Sequence, residues 1–291
     1  MELHDVKILN GDLDTYRCRI DLNIEYAEKQ GVKLHVHIIR PVVDNNEKFP
    51  LIVYSQGSSW LKQDIGKEMI QLGRFAKRGY VIALVEYRSV EVSGFPAQVL
   101  DTNQAIDYLL KKSSEYNIDK NNVLLWGSSS GAHTVLLCAM TKGLEMFSLK
   151  RDDNEDYKIR AVIDYYGPTD ITKLVKEEDA YKYVELEPSP LSLLIDGANL
   201  WHSPEITDKM VPMNYIDKHR VKVPVFILHG TADQIVHYQQ SLDLYECLLN
   251  NEVPTELYLL DGADHGGSCF WTEDIFDRIE NFINEHIVVE K

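Results

Sequence analysis

From Leu51 to Leu228 the chain returns again and again to short, unbroken apolar runs. They are Leu51-Ile52-Val53-Tyr54, Val81-Ile82-Ala83-Leu84-Val85, Val123-Leu124-Leu125-Trp126, Ala161-Val162-Ile163 and Val225-Phe226-Ile227-Leu228. Runs of this kind suit strands buried on both faces of a parallel sheet. The segments 65–77, 98–110, 132–140 and 239–249 lie between or after them and repeat apolar residues at helical spacing. Strand and helix in alternation predict an α/β fold, a doubly wound sheet with right-handed crossovers.

Before Pro41 the pattern is different. Residues 18–27 alternate, with Ile20, Leu22, Ile24 and Tyr26 on one side, as a half-exposed antiparallel strand does. Gly31 turns the chain into 32–39, where Leu34, Val36 and Ile38 face one way and His35 and His37 face outward. A second break follows Tyr166. More than fifty residues pass before Val223 without a strand pattern, with several prolines, an acidic patch (Lys176-Glu177-Glu178-Asp179) and an apolar run at 191–195. A structureless loop of that length is uncommon in a compact fold, so 168–220 is read as a cap inserted into one domain spanning 1–291.

Composition narrows the partners. The 30 Lys and Arg stand against 46 Asp and Glu, a net charge of −16. That deficit of cations argues against nucleic acid and against an anionic membrane surface. No stretch approaches the roughly 20 apolar residues that span a bilayer, and the first residues lack a basic, apolar leader. Cys18, Cys138, Cys247 and Cys269 are scattered and form no CxxC pair, which argues against zinc and for reduced thiols in the cytoplasm.

The candidate chemistry begins at Gly127-Ser128-Ser129-Ser130-Gly131, a G-x-S-x-G between a buried strand and a helix. A turn this sharp lifts the Ser129 hydroxyl above the sheet at a helix N-terminus. Serine needs a base. Of ten histidines, His265 lies in a Gly-rich loop after the strand 257–260, at the carboxyl end where ligands gather in open α/β sheets. His133, His229 and His237 read as structural. Asp233, after the strand 225–228, completes the order Ser, Asp, His expected of such a hydrolase, with Asp261 and Asp264 as rival acids. An oxyanion hole would take the Ser130 amide and an amide from the loop Gln56-Gly57-Ser58-Ser59-Trp60.

With these residues the chain resembles the α/β-hydrolase superfamily, in particular the hormone-sensitive-lipase-like and bacterial acetyl-esterase and feruloyl-esterase-like serine esterases. Glu86-Tyr87-Arg88, Phe95-Pro96-Ala97-Gln98, Asp164-Tyr165-Tyr166-Gly167-Pro168 and His229-Gly230-Thr231-Ala232-Asp233 carry the likeness over about 49–288. The resemblance implies a mostly parallel eight-stranded sheet flanked by helices, with the cap between strands 6 and 7. It also implies hydrolysis of short-chain or carbohydrate-linked esters by Ser129, Asp233 and His265 without a cofactor, a small-molecule ester being the partner. It places oxyanion amides at Ser58, Ser59 and Ser130, although that loop in the family usually reads His-Gly-Gly-Gly-Trp or His-Gly-Gly-Ala-Trp. Trp60, Tyr87, Tyr166, Trp201 and Phe270 are the candidate substrate contacts, and a homodimer is compatible with the chain. An amide hydrolase of the same fold and a non-catalytic binding protein are the alternatives.

Overall fold

A computed structural model describes residues 7, 9–11, 15–148, 157–174, 189–217 and 222–288. The acidic patch 176–179 lies outside the described residues. Eight strands form one sheet in the order β1-β2-β4-β3-β5-β6-β7-β8. β1 (Cys18–Lys29) and β2 (Val32–Pro41) are antiparallel to each other, and β2 is antiparallel to β4 (Val81–Val85). β3 (Phe49–Ser55), β5 (Ile118–Ser128), β6 (Ile159–Tyr165), β7 (Val225–Gly230) and β8 (Thr255–Leu260) continue the sheet in parallel with β4. The mostly parallel eight-stranded sheet expected from the sequence is therefore present.

Burial on both faces follows from where the helices pack. α2 (Ala97–Lys111), α3 (Ser130–Met140) and α6 (Gln239–Asn250) cover one face, and their Ala105, Leu109, Leu136, Leu244 and Leu248 meet Leu51, Val53, Leu125 and Ile227. α1 (Met69–Ala76) and α7 (Glu273–Asn284) cover the other, where Leu72, Phe75, Phe276 and Ile279 meet Ile52, Leu124, Trp126 and Phe226. The strands β3 to β7 thus give alternate residues to two cores, which is why they read as apolar runs.

The N-terminal strands depart from expectation. Asn23 sits at φ 53°, and the β1–β2 register shifts between Asp21 and Ile24. A bulge of this kind rotates the side chains that follow it. Tyr26 is consequently buried while Ile20 and Leu22 stay exposed, so the predicted face is split. His37 is buried as well, because β2 lies between β1 and β4, and its Nδ1 accepts the Asn23 amide at 3.0 Å.

Two features locate the functional end. From β3 the chain steps to β4 on one side and then to β5 on the other, so the winding reverses at the carboxyl ends of β3 and β5. Crevices form at such switch points. The described part of the cap, including α4 (Pro190–Leu194) and α5 (Pro204–Thr207), packs above: Leu194, Ile195, Leu200 and Met210 cluster with Trp60, Val90 and Ile171.

Candidate active site

β5 enters the turn at Ser128 and α3 leaves it at Ser130, so one residue makes the whole reversal. Ser129 takes φ 51° and ψ −127°, a strained conformation for a residue with a side chain. Its amide donates to the Tyr165 carbonyl at 2.8 Å, and its carbonyl accepts the His133 amide at 3.1 Å. The flanking glycines are required by contact. A Cβ on Gly127 would lie 2.5 Å from the Ala132 backbone, and one on Gly131 would lie 2.0 Å from the Ser55 carbonyl oxygen.

His265 and Asp233 reach Ser129 from the loops after β8 and β7. Ser129 Oγ lies 2.8 Å from His265 Nε2, and His265 Nδ1 lies 2.7 Å from Asp233 Oδ2. The three residues are brought together in hydrogen-bonding order across 136 positions of sequence. Asp233 Oδ1 accepts the amides of Ile235 and Val236, each at 2.8 Å. Burial alone would raise the Asp233 carboxyl. Hydrogen bonds from His229, His265 and the Val236 amide outweigh that cost and hold it well below the usual carboxylate range. The rival acids support the loops instead: Asp264 accepts the Gln234 and His265 amides, and Asp261 accepts the Thr231 hydroxyl.

The expected oxyanion loop needs one correction. The Ser58 amide does not point to an open position; it donates to Ser130 Oγ at 2.9 Å, as the Trp60 amide does at 3.2 Å. The Ser130 hydroxyl therefore anchors the loop, a side-chain role that the sequence did not signal. Gly57 donates to Ser128 Oγ at 3.0 Å, so both serines flanking Ser129 hold this loop. Among the described residues, the amides of Ser59 and Ser130 have no hydrogen-bond acceptor.

The five aromatic candidates separate by burial. The Tyr166 ring lies 4.7 Å from the His265 ring and is the one of the five that borders it. Phe270 has no exposed surface and backs Tyr166 at 4.8 Å, so it packs behind the site rather than lining it. Tyr87 is also buried, its hydroxyl 3.3 Å from Ser58 Oγ and 3.4 Å from Ser130 Oγ, where it braces the loop. Trp60 is buried edge-on against His133 beneath the cap cluster, and Trp201 is half-buried on that cluster's rim. His133 links the segment around Met210 to α3 through Nε2, 2.7 Å from the Met210 carbonyl. Burial lowers it to about 4.

A model of the BD-FAE family matches residues 37–248. Esterase LipC of Mycobacterium tuberculosis (strain ATCC 25618 / H37Rv) is 25% identical over 222 residues, covering 75% of this chain and 53% of that protein. A probable isoprenylcysteine alpha-carbonyl methylesterase, ICMEL1 of Oryza sativa subsp. japonica, is 22% identical over 249 residues, 84% and 56% of the two chains. The chain spans about half the length of the curated relatives it matches. Among solved structures, a truncated carbohydrate esterase from gut microbiota superposes with a TM-score of 0.78 at 25% identity, covering 94% of this chain and 98% of that one. Esterase B from Lactobacillus rhamnosis superposes with a TM-score of 0.74 at 18% identity, over 92% and 85% of the chains, a likeness of fold.

Proposed function

The chain belongs to the BD-FAE family, with the α/β-hydrolase fold, and from that premise we propose that it is a serine carboxylesterase acting on short-chain or carbohydrate-linked esters. The observation that carries this reading is the continuous hydrogen-bonded line from Ser129 Oγ through His265 to Asp233. It stands beside two amides, of Ser59 and Ser130, that no protein group occupies among the described residues. The esterase names of the relatives support the reaction class, and the carbohydrate esterase among the structures supports the sugar-linked alternative.

In the proposed reaction, Ser129 Oγ attacks the ester carbonyl carbon while its proton passes to His265 Nε2. The carbonyl oxygen gains the negative charge and is met by the Ser59 and Ser130 amides. Collapse expels the alcohol, which takes the proton from His265 and leaves an acyl group on Ser129. Water then repeats the sequence, releasing the acid and restoring the hydroxyl. Asp233 stays ionised throughout and holds the imidazole with Nε2 facing the serine. A reducing compartment, the cytoplasm, suits the four unbridged cysteines.

The test is Ser129→Ala. Hydrolysis of p-nitrophenyl acetate is expected to fall by about 10⁴-fold or more, with unfolding midpoint unchanged. Retention of wild-type turnover would remove Ser129 from the chemistry. Parallel assays with acetylated xylan, methyl ferulate and a formyl amide then identify the acyl group and separate ester from amide hydrolysis.

A further inference from the structure

Asp233 Oδ2 has a second partner besides His265. His229, which closes β7 and has no exposed surface, brings Nε2 to 3.1 Å from the same oxygen. That nitrogen is also 2.8 Å from the Val236 carbonyl oxygen. A carbonyl and an ionised carboxylate can only accept, so Nε2 must carry the proton. In the neutral ring Nδ1 is then the acceptor, and the Ser241 hydroxyl of α6 lies 2.6 Å from it. Both ring nitrogens are committed, and the ring cannot turn without breaking three bonds.

We propose that His229 is a positioning residue, a fixed second donor that shares Oδ2 with His265 and so limits how strongly Asp233 holds the proton on His265. The inference rests on the ester-hydrolase reading for its kinetic consequence. With the four donors on Asp233 in place, neither carboxylate oxygen has strong acceptor capacity to spare. Removing the Nε2–H of His229 returns electron density to Oδ2, strengthens its bond to His265 Nδ1–H and stabilises the imidazolium. The base then stays protonated to higher pH.

Other groups face this pair. Asp164 of β6 lies within electrostatic reach of His229, and the Tyr166 ring packs on both imidazoles. Asp264 accepts the His265 amide, while Glu68 and Cys269 act on the same pocket beside Tyr166. Burial raises the Asp164 carboxyl to about 7, so it needs its own control.

The test is an NMR titration of the His265 imidazole, assigned by its disappearance in His265→Asn. Wild type is compared with His229→Leu, His229→Gln and Ser241→Ala. Leucine removes the donor, glutamine carries an amide N–H to the same place, and Ser241→Ala disturbs only the far side of the ring. The His265 midpoint is expected to rise by about one pH unit in His229→Leu and to stay in place in the other two. Ser241→Ala is expected to lose thermal stability nonetheless. The rise persists in an Asp164→Asn background. In kcat/KM the acid limb moves upward by the same amount, whereas a purely structural role would lower the plateau without moving the limb. An unmoved midpoint in His229→Leu, or an equal shift in Ser241→Ala, overturns the proposal. Should His229→Leu not fold, the ¹⁵N spectrum of wild-type His229 decides. A proton on Nε2 across about pH 5 to 9 is expected, and an unprotonated Nε2 overturns it. The titration needs no substrate, so absent ester turnover would count against the esterase reading and leave His229 testable.

Discussion

Asp164 shows how much one side chain at the end of β6 can cost. It has no exposed surface; Oδ1 accepts the Gly167 amide at 2.8 Å, and Oδ2 has no hydrogen-bond partner among the described residues. Burial pushes the carboxyl up to about 7, with the Gly167 amide and His229 pulling the other way. In the unfolded chain the same group ionises near its ordinary value of about 4. Between about pH 4 and pH 7 the folded protein therefore holds a proton that the unfolded chain has released, and stability falls as pH rises through that window. Above about 7 the loss is complete and constant. Asp164→Asn keeps the Gly167 contact through Oδ1 and cannot ionise. Urea unfolding is expected to show the variant gaining on wild type from pH 5 to pH 8, on the order of a few kcal/mol at most. A gap that is the same at both pH values would show that Asp164 is not the titrating group.

At the scale of elements, the site depends on how closely α3 passes the end of β3. The first turn of α3 runs so near Ser55 that a Cβ on Gly131 would sit 2.0 Å from its carbonyl oxygen and 2.5 Å from its carbonyl carbon. Backbone cannot move aside as a side-chain tip can. Gly131→Ala is expected to cost about 3 kcal/mol or more, read as a lower urea midpoint. It should also lose esterase activity, because the same approach seats the loop 57–60 on Ser128 and Ser130. A variant with wild-type midpoint and turnover would mean that this contact is looser than described. The motif and its glycines were legible in the sequence because the steric demand is local, and the parallel strands were legible because burial on both faces leaves an apolar run. What escaped depends on partners distant in sequence. The β1 bulge at Asn23 follows from register with β2, and the turning of the Ser58 amide follows from the Ser130 hydroxyl 72 positions away. His229 read as structural from its place at a strand end. Its bond to Asp233 appears only once the loop after β7 folds back over four residues.

For the molecule as a whole, the net charge is −16. A cavity of about 670 Å³ opens by the amino ends of β6 and β7 and the carboxyl end of α3, and Lys142, Lys158, Arg160, Lys222 and His286 line it. Ser129 sits at the opposite end of α3, where Asp233 and Asp264 contact His265 and Glu68 acts on Tyr166. Four cations thus line a cavity away from Ser129, and Asp233 and Asp264 stand beside His265. An ester bearing its own carboxylate approaches against that field, while a neutral ester of equal size does not. The comparison is p-nitrophenyl butyrate against mono-p-nitrophenyl succinate. At low ionic strength kcat/KM for the anionic ester is expected to be lower by about tenfold. The difference should shrink as salt shortens the Debye length from about 30 Å at 0.01 M to about 3 Å at 1 M. A deficit that persists unchanged in 1 M salt would locate the discrimination in contacts within the acyl pocket. An anionic ester preferred at low salt would show that the carboxylates beside His265 do not set the local potential.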